Sequence, residues 1–384
     1  MGPSLVPALR RHEGGTDHGV RRKTCIVAGA GITGATAAWY LHGRGWDVTV
    51  YEAQPWVGGQ LRGAFHGDIP YEPLGPHNFH TSTEEAYQVV RQNCELNSYR
   101  HRAETVIGPR RHVVTWPLQV SELERLPEWP QIKDELNELP KQPDKANFET
   151  YAVSIMGKTL YEWCVYGYTV KQWGTDPRLL SSSFAPKRLD LRTDGIRDFF
   201  RDPYQGWCEG GWHTLVENLL EGIYVELGRT IRLATLPAAD AYVITAPLDE
   251  FMEADPLPWR GVSTRFECRD SDGPVLSAAV INQPSIDVPY TRMVETRQMT
   301  EAAPSRGTVI GYEYPGAPVR HYPVADAAGE NRARHKILAE QLLREVETAV
   351  IAGRLASYVY CDVDQAIVMG LNAARKILGR WEDP

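Results

Sequence analysis

The six residues Gly29-Ala30-Gly31-Ile32-Thr33-Gly34 constrain the fold more than any other part of the chain. They follow a short apolar run, Thr24-Cys-Ile-Val-Ala, and precede the small and apolar segment Ala35-Thr-Ala-Ala-Trp-Tyr-Leu. Glycines at the first, third and sixth positions between a strand and a helix mark the phosphate-binding turn of a βαβ unit. Gly29 permits the tight turn, Gly31 lets the backbone approach a pyrophosphate, and Gly34 lets the helix pack close to the strand. The helix start at Ile32 and Thr33 offers free N–H groups and a positive dipole end to phosphates. Trp46 to Glu52 reads as the second strand. Glu52 is placed at its end, with Ala53 beside it, to accept hydrogen bonds from a ribose diol.

Length and charge narrow the classes open to such a chain. With 384 residues it can bury a large core, divided into two or three domains. A net charge of −8 argues against a general nucleic-acid binder. The sequence has no run of about eighteen apolar residues, so no membrane span is expected. Its six cysteines, Cys25, Cys94, Cys164, Cys208, Cys268 and Cys361, form no CxxC pair. They read as free thiols in a reducing compartment, with neither a disulfide framework nor a metal site. Residues 1–22 are polar, rich in Gly and Arg, and lack an apolar signal core. They read as a disordered leader on a cytoplasmic protein.

Past the glycine turn the pattern changes twice. Between about residues 82 and 171 it turns helical, with spaced apolar residues among many charges from Glu84 to Asn97 and from Leu118 to Leu139. Pro127, Pro130, Pro140 and Pro143 divide the second stretch into short helices. From about Ala241 to Tyr322 strand-like runs return at Tyr242-Val-Ile-Thr, Val275-Leu-Ser-Ala-Ala-Val-Ile-Asn and Gly307-Thr-Val-Ile-Gly-Tyr-Glu-Tyr. These predict an antiparallel sheet. A charged helix from Asn331 to Ala349 and a last helix from about Asp364 close the chain.

Gly58-Gly59, followed by Gln60, stands six residues beyond Glu52. The order GxGxxG, then Glu, then a glycine pair resembles the extended fingerprint of the FAD-binding oxidoreductase superfamily. That resemblance implies FAD rather than NAD, and an α/β fold: a Rossmann-type FAD-binding domain with an inserted helical domain and an antiparallel β-sheet domain. The expected boundaries interleave. Residues 23–84, 206–262 and 340–384 form the FAD-binding domain, 85–190 a mainly helical domain with a mobile lid over about 174–192, and 263–339 the substrate sheet.

Further motifs resemble the bacterial UDP-galactopyranose mutases. Gly75-Pro-His77-Asn78-Phe79-His80-Thr81 looks like their GxHxFHT segment, and Gly167-Tyr168-Thr-Val-Lys171-Gln-Trp173-Gly174 their GYTxKQWG block. Arg188-Leu-Asp-Leu-Arg192, Tyr204-Gln-Gly206, Tyr290-Thr-Arg292, Glu313-Tyr-Pro315, Tyr322-Pro323 and Gly353-Arg354-Leu-Ala-Ser-Tyr358-Val-Tyr360-Cys-Asp362 follow in family order. The resemblance implies an isomerase that interconverts the pyranose and furanose forms of a nucleotide-linked sugar, most closely UDP-galactose, with no net redox change. Reduced FAD would supply N5 as the nucleophile at the anomeric carbon. Arg188 and Arg292 would hold the diphosphate as bidentate forks, with Tyr322 and Tyr360 beside it and His77 steering the flavin. Tyr168, Trp173, Asn282, Arg192 and Asp362 would contact substrate. His77, Asn78, Gln60, Arg354, Tyr360 and Asp362 would line the flavin, with His80 nearby. An external reductant such as NAD(P)H and a homodimer are implied as well.

The sequence departs from that family at several points. Gln60 stands where Asn is usual, Phe199 replaces a tyrosine that commonly reaches the diphosphate, and Cys164 replaces an aromatic that commonly packs on uracil. The departures lie around the nucleotide and leave open another nucleotide- or nucleoside-linked sugar. An amine-oxidase-like oxidoreductase is the alternative chemistry, and a non-catalytic FAD- or sugar-nucleotide-binding protein the alternative class.

Overall fold

Five parallel strands carry the glycine turn. In the computed structural model, which describes residues 21–184, 189–301 and 306–381, they run in the order Tyr224–Leu227, Asp47–Glu52, Thr24–Ala28, Ala241–Ile244, Ala349–Ile351. Every pairing is parallel. The central strands are covered on both faces, which is why Cys25-Ile-Val-Ala and Ala241-Tyr-Val-Ile are unbroken apolar runs. The Tyr242 run therefore belongs to this parallel sheet and not, as expected, to the antiparallel one. Of the expected leader, residues 1–20 lie outside the described residues. Arg21 and Lys23 each stand 3.9 Å from Asp240.

The first helix, Ile32–His42, is buried from Thr33 to Leu41. Its small residues admit the last helix, Val363–Leu378, at close range: a Cβ on Gly370 would lie 2.5 Å from the Thr33 carbonyl oxygen. The Thr33 hydroxyl in turn donates to the Ala366 carbonyl at 3.0 Å. Val363, Ala366, Ile367, Gly370, Leu371, Ala374 and Ile377 form the apolar stripe that the crossing buries. Trp207 and Trp212, both fully buried, complete this core. Truncating either would cost about 3–5 kcal/mol.

A second sheet has six strands in the order Trp259–Arg269, Thr308–Pro323, Arg292–Glu295, Val280–Asn282, Ala103–Ile107, His112–Trp116. The strands of the stretch expected to be antiparallel pair so, and Val280–Asn282 also pairs parallel with Ala103–Ile107. The sheet's last two strands come from the stretch expected to be helical. There Ala103, Thr105 and Ile107 alternate inward, a period-two signal of only five residues set among helical patterns. The first helix of that stretch, Glu84–Asn93, ends before the expected Asn97, and the proline-divided part holds the short helices Val120–Leu123 and Trp129–Asn137. The closing helices run over Glu330–Glu345 and Val363–Leu378.

Phe148–Tyr161 and Gly167–Trp173 form a helical layer joined by a π-turn at Glu162–Tyr166. It packs its own core, with Phe148, Met156, Leu160, Cys164 and Val165 meeting Ile107 and Leu118. One cavity of about 690 Å³ lies where the glycine-turn domain, the second sheet and this layer converge. That size fits a nucleotide-scale ligand.

Candidate active site

The glycine turn is built to leave room for a ligand. Gly29 has φ of +112°, and a Cβ there would lie 2.4 Å from the Thr245 hydroxyl; a Cβ on Gly34 would lie 2.0 Å from the Gly29 carbonyl oxygen. Over Gly31 nothing lies within 4 Å, and the Ile32 helix has no side-chain cap. Glu52, 8% exposed, braces the turn: its carboxylate accepts from the Ala30 and Gln54 N–H groups, each at 2.8 Å. Gly58 N–H donates to the Ala30 carbonyl at 2.9 Å, and Gly59 packs on Gly31. The glycine pair thus buttresses the turn from the side. Ile32 packs against the core and Ala53 lies exposed beside Glu52.

Deeper in the cavity, Glu72 fixes His77. The carboxylate accepts from His77 N–H at 2.8 Å and from its Nδ1–H at 2.9 Å. The imidazole proton is thereby held on Nδ1, and Nε2 is left for the cavity. Asn78 lines the same region with its Oδ1 buried and unpartnered. Gln60 donates to the Arg320 carbonyl at 3.0 Å and accepts from Arg354 Nη1 at 2.6 Å. The Arg354 guanidinium also meets the Tyr360 ring, 5.0 Å from its centroid. The open space over Gly31 and, in the cavity, the unsatisfied Asn78 amide oxygen fit a bound dinucleotide.

The opposite wall follows from strand register. Asn282 pairs with Arg292, and Arg292 with Glu313, so the three side chains lie side by side on one face. Glu313 is 1% exposed and accepts from Arg292 Nε at 2.6 Å. Burial disfavours the guanidinium charge there, but the Glu313 carboxylate outweighs it and drives the Arg292 pKa well up. Asn282 Nδ2 donates to the Glu104 carbonyl at 3.3 Å. Tyr322 stacks on Tyr360 at 5.9 Å and meets Trp173 edge-on at 6.2 Å. Tyr168 lines the cavity one helical turn from Trp173.

His80 sits between two carboxylates, with Nδ1 2.8 Å from Asp202 and Nε2 3.6 Å from Asp362, and stacks on Phe200 at 3.5 Å. Burial alone would lower its pKa, but the hydrogen bonds to Asp362 and Asp202 prevail and raise it. His321 is the reverse case. It is 5% exposed and lines the cavity beside Arg354 and His77. Burial first, then the charge of the Arg354 guanidinium, push it down to about 4. A register shift at Gly261 frees the Val262 N–H to donate to His321 Nδ1 at 3.2 Å, so the neutral ring carries its proton on Nε2.

Gln60, His77, Asn78, Tyr168, Trp173, Asn282, Arg292, Tyr322, Arg354, Tyr360 and Asp362 all line this one cavity. Arg192 does not. It is buried elsewhere, bonding Asp190 at 2.8 Å and the Asp198 and Phe199 carbonyls at 2.6 and 2.8 Å, and so shapes the loop that presents Phe199 and Phe200. Arg188, with Lys187, lies outside the described residues, as does part of the expected lid. Glu72, Asp202, Phe200 and His321 were missed by sequence reasoning. His321 adjoins Tyr322, Phe200 adjoins Phe199, and Glu72 lies five residues before His77. Asp202 alone meets its histidine across a long stretch of chain.

A family model described as UDP-galactopyranose mutase matches residues 164–360, just over half of the chain. A second, an NAD(P)-binding Rossmann-like domain, matches residues 27–92. A probable UDP-galactopyranose mutase of Klebsiella pneumoniae is 28% identical over 94% of this chain and 96% of its own. The dTDP-fucopyranose mutase of Escherichia coli is 27% identical over 91% of this chain and 97% of its own. The crystal structure of a reduced UDP-galactopyranose mutase superposes with a TM-score of 0.77 at 17% identity, covering 94% of this chain and 96% of the other.

Proposed function

The chain belongs to the UDP-galactopyranose mutase family, and from that premise we propose that it interconverts UDP-galactopyranose and UDP-galactofuranose with reduced FAD and no net redox change. The observation that carries this reading is the position of Arg292. Held against a buried Glu313, it faces a cavity whose lining also holds Gln60, His77, Asn78 and Arg354. A reversible sugar transfer needs a diphosphate kept in place while it is detached, and an arginine fixed through Nε still offers its terminal nitrogens as donors.

Bound and reduced, the flavin would supply the nucleophile at the anomeric carbon. The glycine cradle, Asn78, Gln60 and Arg354 are the groups placed to hold it. His77, its tautomer set by Glu72, presents a free Nε2 that accepts a hydrogen bond and steers the flavin edge. Tyr322 and Tyr360 add hydroxyl donors next to Arg292, where charge grows on the leaving diphosphate. Trp173 and Tyr168 offer flat faces for the sugar or base. The catalytic side chains in this reading are therefore Arg292, His77, Tyr322 and Tyr360. An external reductant such as NAD(P)H, a homodimer and a cytoplasmic location complete it, on the strength of the family resemblance. Among the described residues no helix is long and apolar enough to cross a membrane.

A second substrate reading has an observation of its own. The similarity to the dTDP-fucopyranose mutase is as long and nearly as high as that to the galactose enzyme, and Cys164 and Phe199 stand at the cavity where the family commonly has larger or hydroxylated rings. The test is incubation of the purified protein with UDP-galactofuranose, and separately with dTDP-fucofuranose, with and without dithionite, followed by chromatography of the ring forms. Conversion of the first only after reduction supports the main reading. Conversion of the second alone moves the substrate, and oxygen uptake with an amine replaces the chemistry.

A further inference from the structure

Lys171 lies on the helix that carries Tyr168 and Trp173, yet it does not line the cavity. Its ammonium donates to four main-chain carbonyls: Gln283 at 2.6 Å, Ser285 at 2.8 Å, Val288 at 2.9 Å and Tyr290 at 2.8 Å. All four belong to the loop that joins Asn282 to Arg292. An ammonium has three protons, so four acceptors at these distances share them, an arrangement that encloses a compact point charge and that a planar guanidinium cannot reproduce. Burial pulls the Lys171 pKa down to about 8. The converging carbonyl dipoles are what supports the charge there.

The helix also touches this loop through backbone. A Cβ on Gly167 would lie 2.3 Å from the Pro284 carbonyl oxygen. On the loop's own side, Gln283 N–H donates to the Thr291 carbonyl at 2.8 Å, closing its neck. The loop is therefore tied at its neck, pressed at Gly167 and gathered around Lys171. Its two ends are residues of the cavity wall.

We infer that Lys171 is a positioning residue of the reaction: by gathering the 283–290 loop around its ammonium, it sets Asn282 and Arg292 at their working distance from Tyr168 and Trp173. The inference rests on the reading of Arg292 as the diphosphate ligand. It requires that the loop be ordered by the cation and not by the sheet alone.

The experiment uses the flavin-loaded full chain with Lys171→Met and Lys171→Ala. UDP binding is followed by calorimetry, turnover by chromatography, and amide hydrogen exchange by mass spectrometry. Both variants are expected to keep their flavin, to bind UDP 10- to 100-fold more weakly and to lose kcat/KM by a similar factor. Exchange should rise in residues 283–291 and stay unchanged in 24–52. Methylammonium or ammonium chloride at high concentration should restore part of the UDP affinity to Lys171→Ala and none to Lys171→Met, whose side chain fills the space. UDP affinity equal to wild type overturns the inference, as does exchange raised throughout the chain or an absence of cation rescue. If the wild type itself binds no UDP, the diphosphate reading fails, and the exchange pattern still decides whether Lys171 orders the loop.

Discussion

Replacing Glu313 with methionine tests whether the Arg292 pair is as desolvated as its geometry implies. Glu313 is 2% exposed and Arg292 21%, with Nε and Oε2 2.6 Å apart. Breaking a buried pair costs about 3–5 kcal/mol, against about 0–1 for an exposed one. Arg292 faces the cavity and retains some water, so the lower end, about 3 kcal/mol, is expected for Glu313→Met. Arg292→Met strands the Glu313 carboxylate, whose Oε1 already has no partner. Left buried without its partner, that carboxylate should cost the variant about 3–5 kcal/mol. The double replacement removes both charges and should lie within about 1 kcal/mol of wild type. Urea unfolding of the flavin-loaded protein at pH 7 measures all four corners of the cycle. A Glu313→Met variant within about 1 kcal/mol of wild type would refute the reasoning, as would simple addition of the two single losses. Every variant lacking Arg292 should be inactive whatever its stability.

Other expectations follow from single contacts. His321, held neutral with a pKa of about 4 against 6.5 unfolded, is protonated first in the unfolded chain. Its contribution to stability is complete above pH 6.5 and is lost as pH falls towards 4. By that route wild type should lose up to about 3 kcal/mol more than His321→Gln over the same range, measured by urea titration. Equal losses would mean that the ring is not held neutral. Gly34→Ala forces a Cβ against the Gly29 carbonyl oxygen at 2.0 Å, so the purified protein should lack the flavin absorbance that wild type shows. Glu72→Gln frees the His77 ring to change tautomer, and kcat should drop about 10- to 100-fold with KM changed less than threefold. Arg192→Met removes three loop contacts and should lower the unfolding midpoint and weaken UDP binding, since Phe199 loses its support at the cavity.

The glycine turn was legible because its chemistry is local: a strand, three glycines and a helix start lie within a few residues, and each glycine has one steric reason. The last helix was legible by the same route, its apolar stripe being sustained over several turns. The Ala103–Ile107 and His112–Trp116 hairpin was not. Five-residue strands among charged helices carry too little periodic signal, and their partner, Val280–Asn282, lies far along the chain. The same distance hid Asp202, which meets His80 from 122 residues away. Whether a buried carboxylate meets a histidine depends on loop closure, which no residue spacing encodes. Arg192 shows the converse: a motif position rich in hydrogen-bonding capacity, whose donors are spent on the neighbouring loop.

What separates the readable from the unreadable residues also divides the site by function. Groups that meet a phosphate through backbone need only a turn, and a turn is written in consecutive residues. On the proposed reading, the groups that would discriminate one sugar nucleotide from another stand on strands, loops and a helix distant in sequence, here Asn282, Arg292, Phe199, Tyr168 and Trp173, each held by a support of its own. Asn282 and Arg292 lean on Glu313, the Glu104 carbonyl and the Lys171 loop, Phe199 on Arg192, and Trp173 on Tyr322. A change of substrate can therefore arise in the supports while every ligand-facing residue is kept.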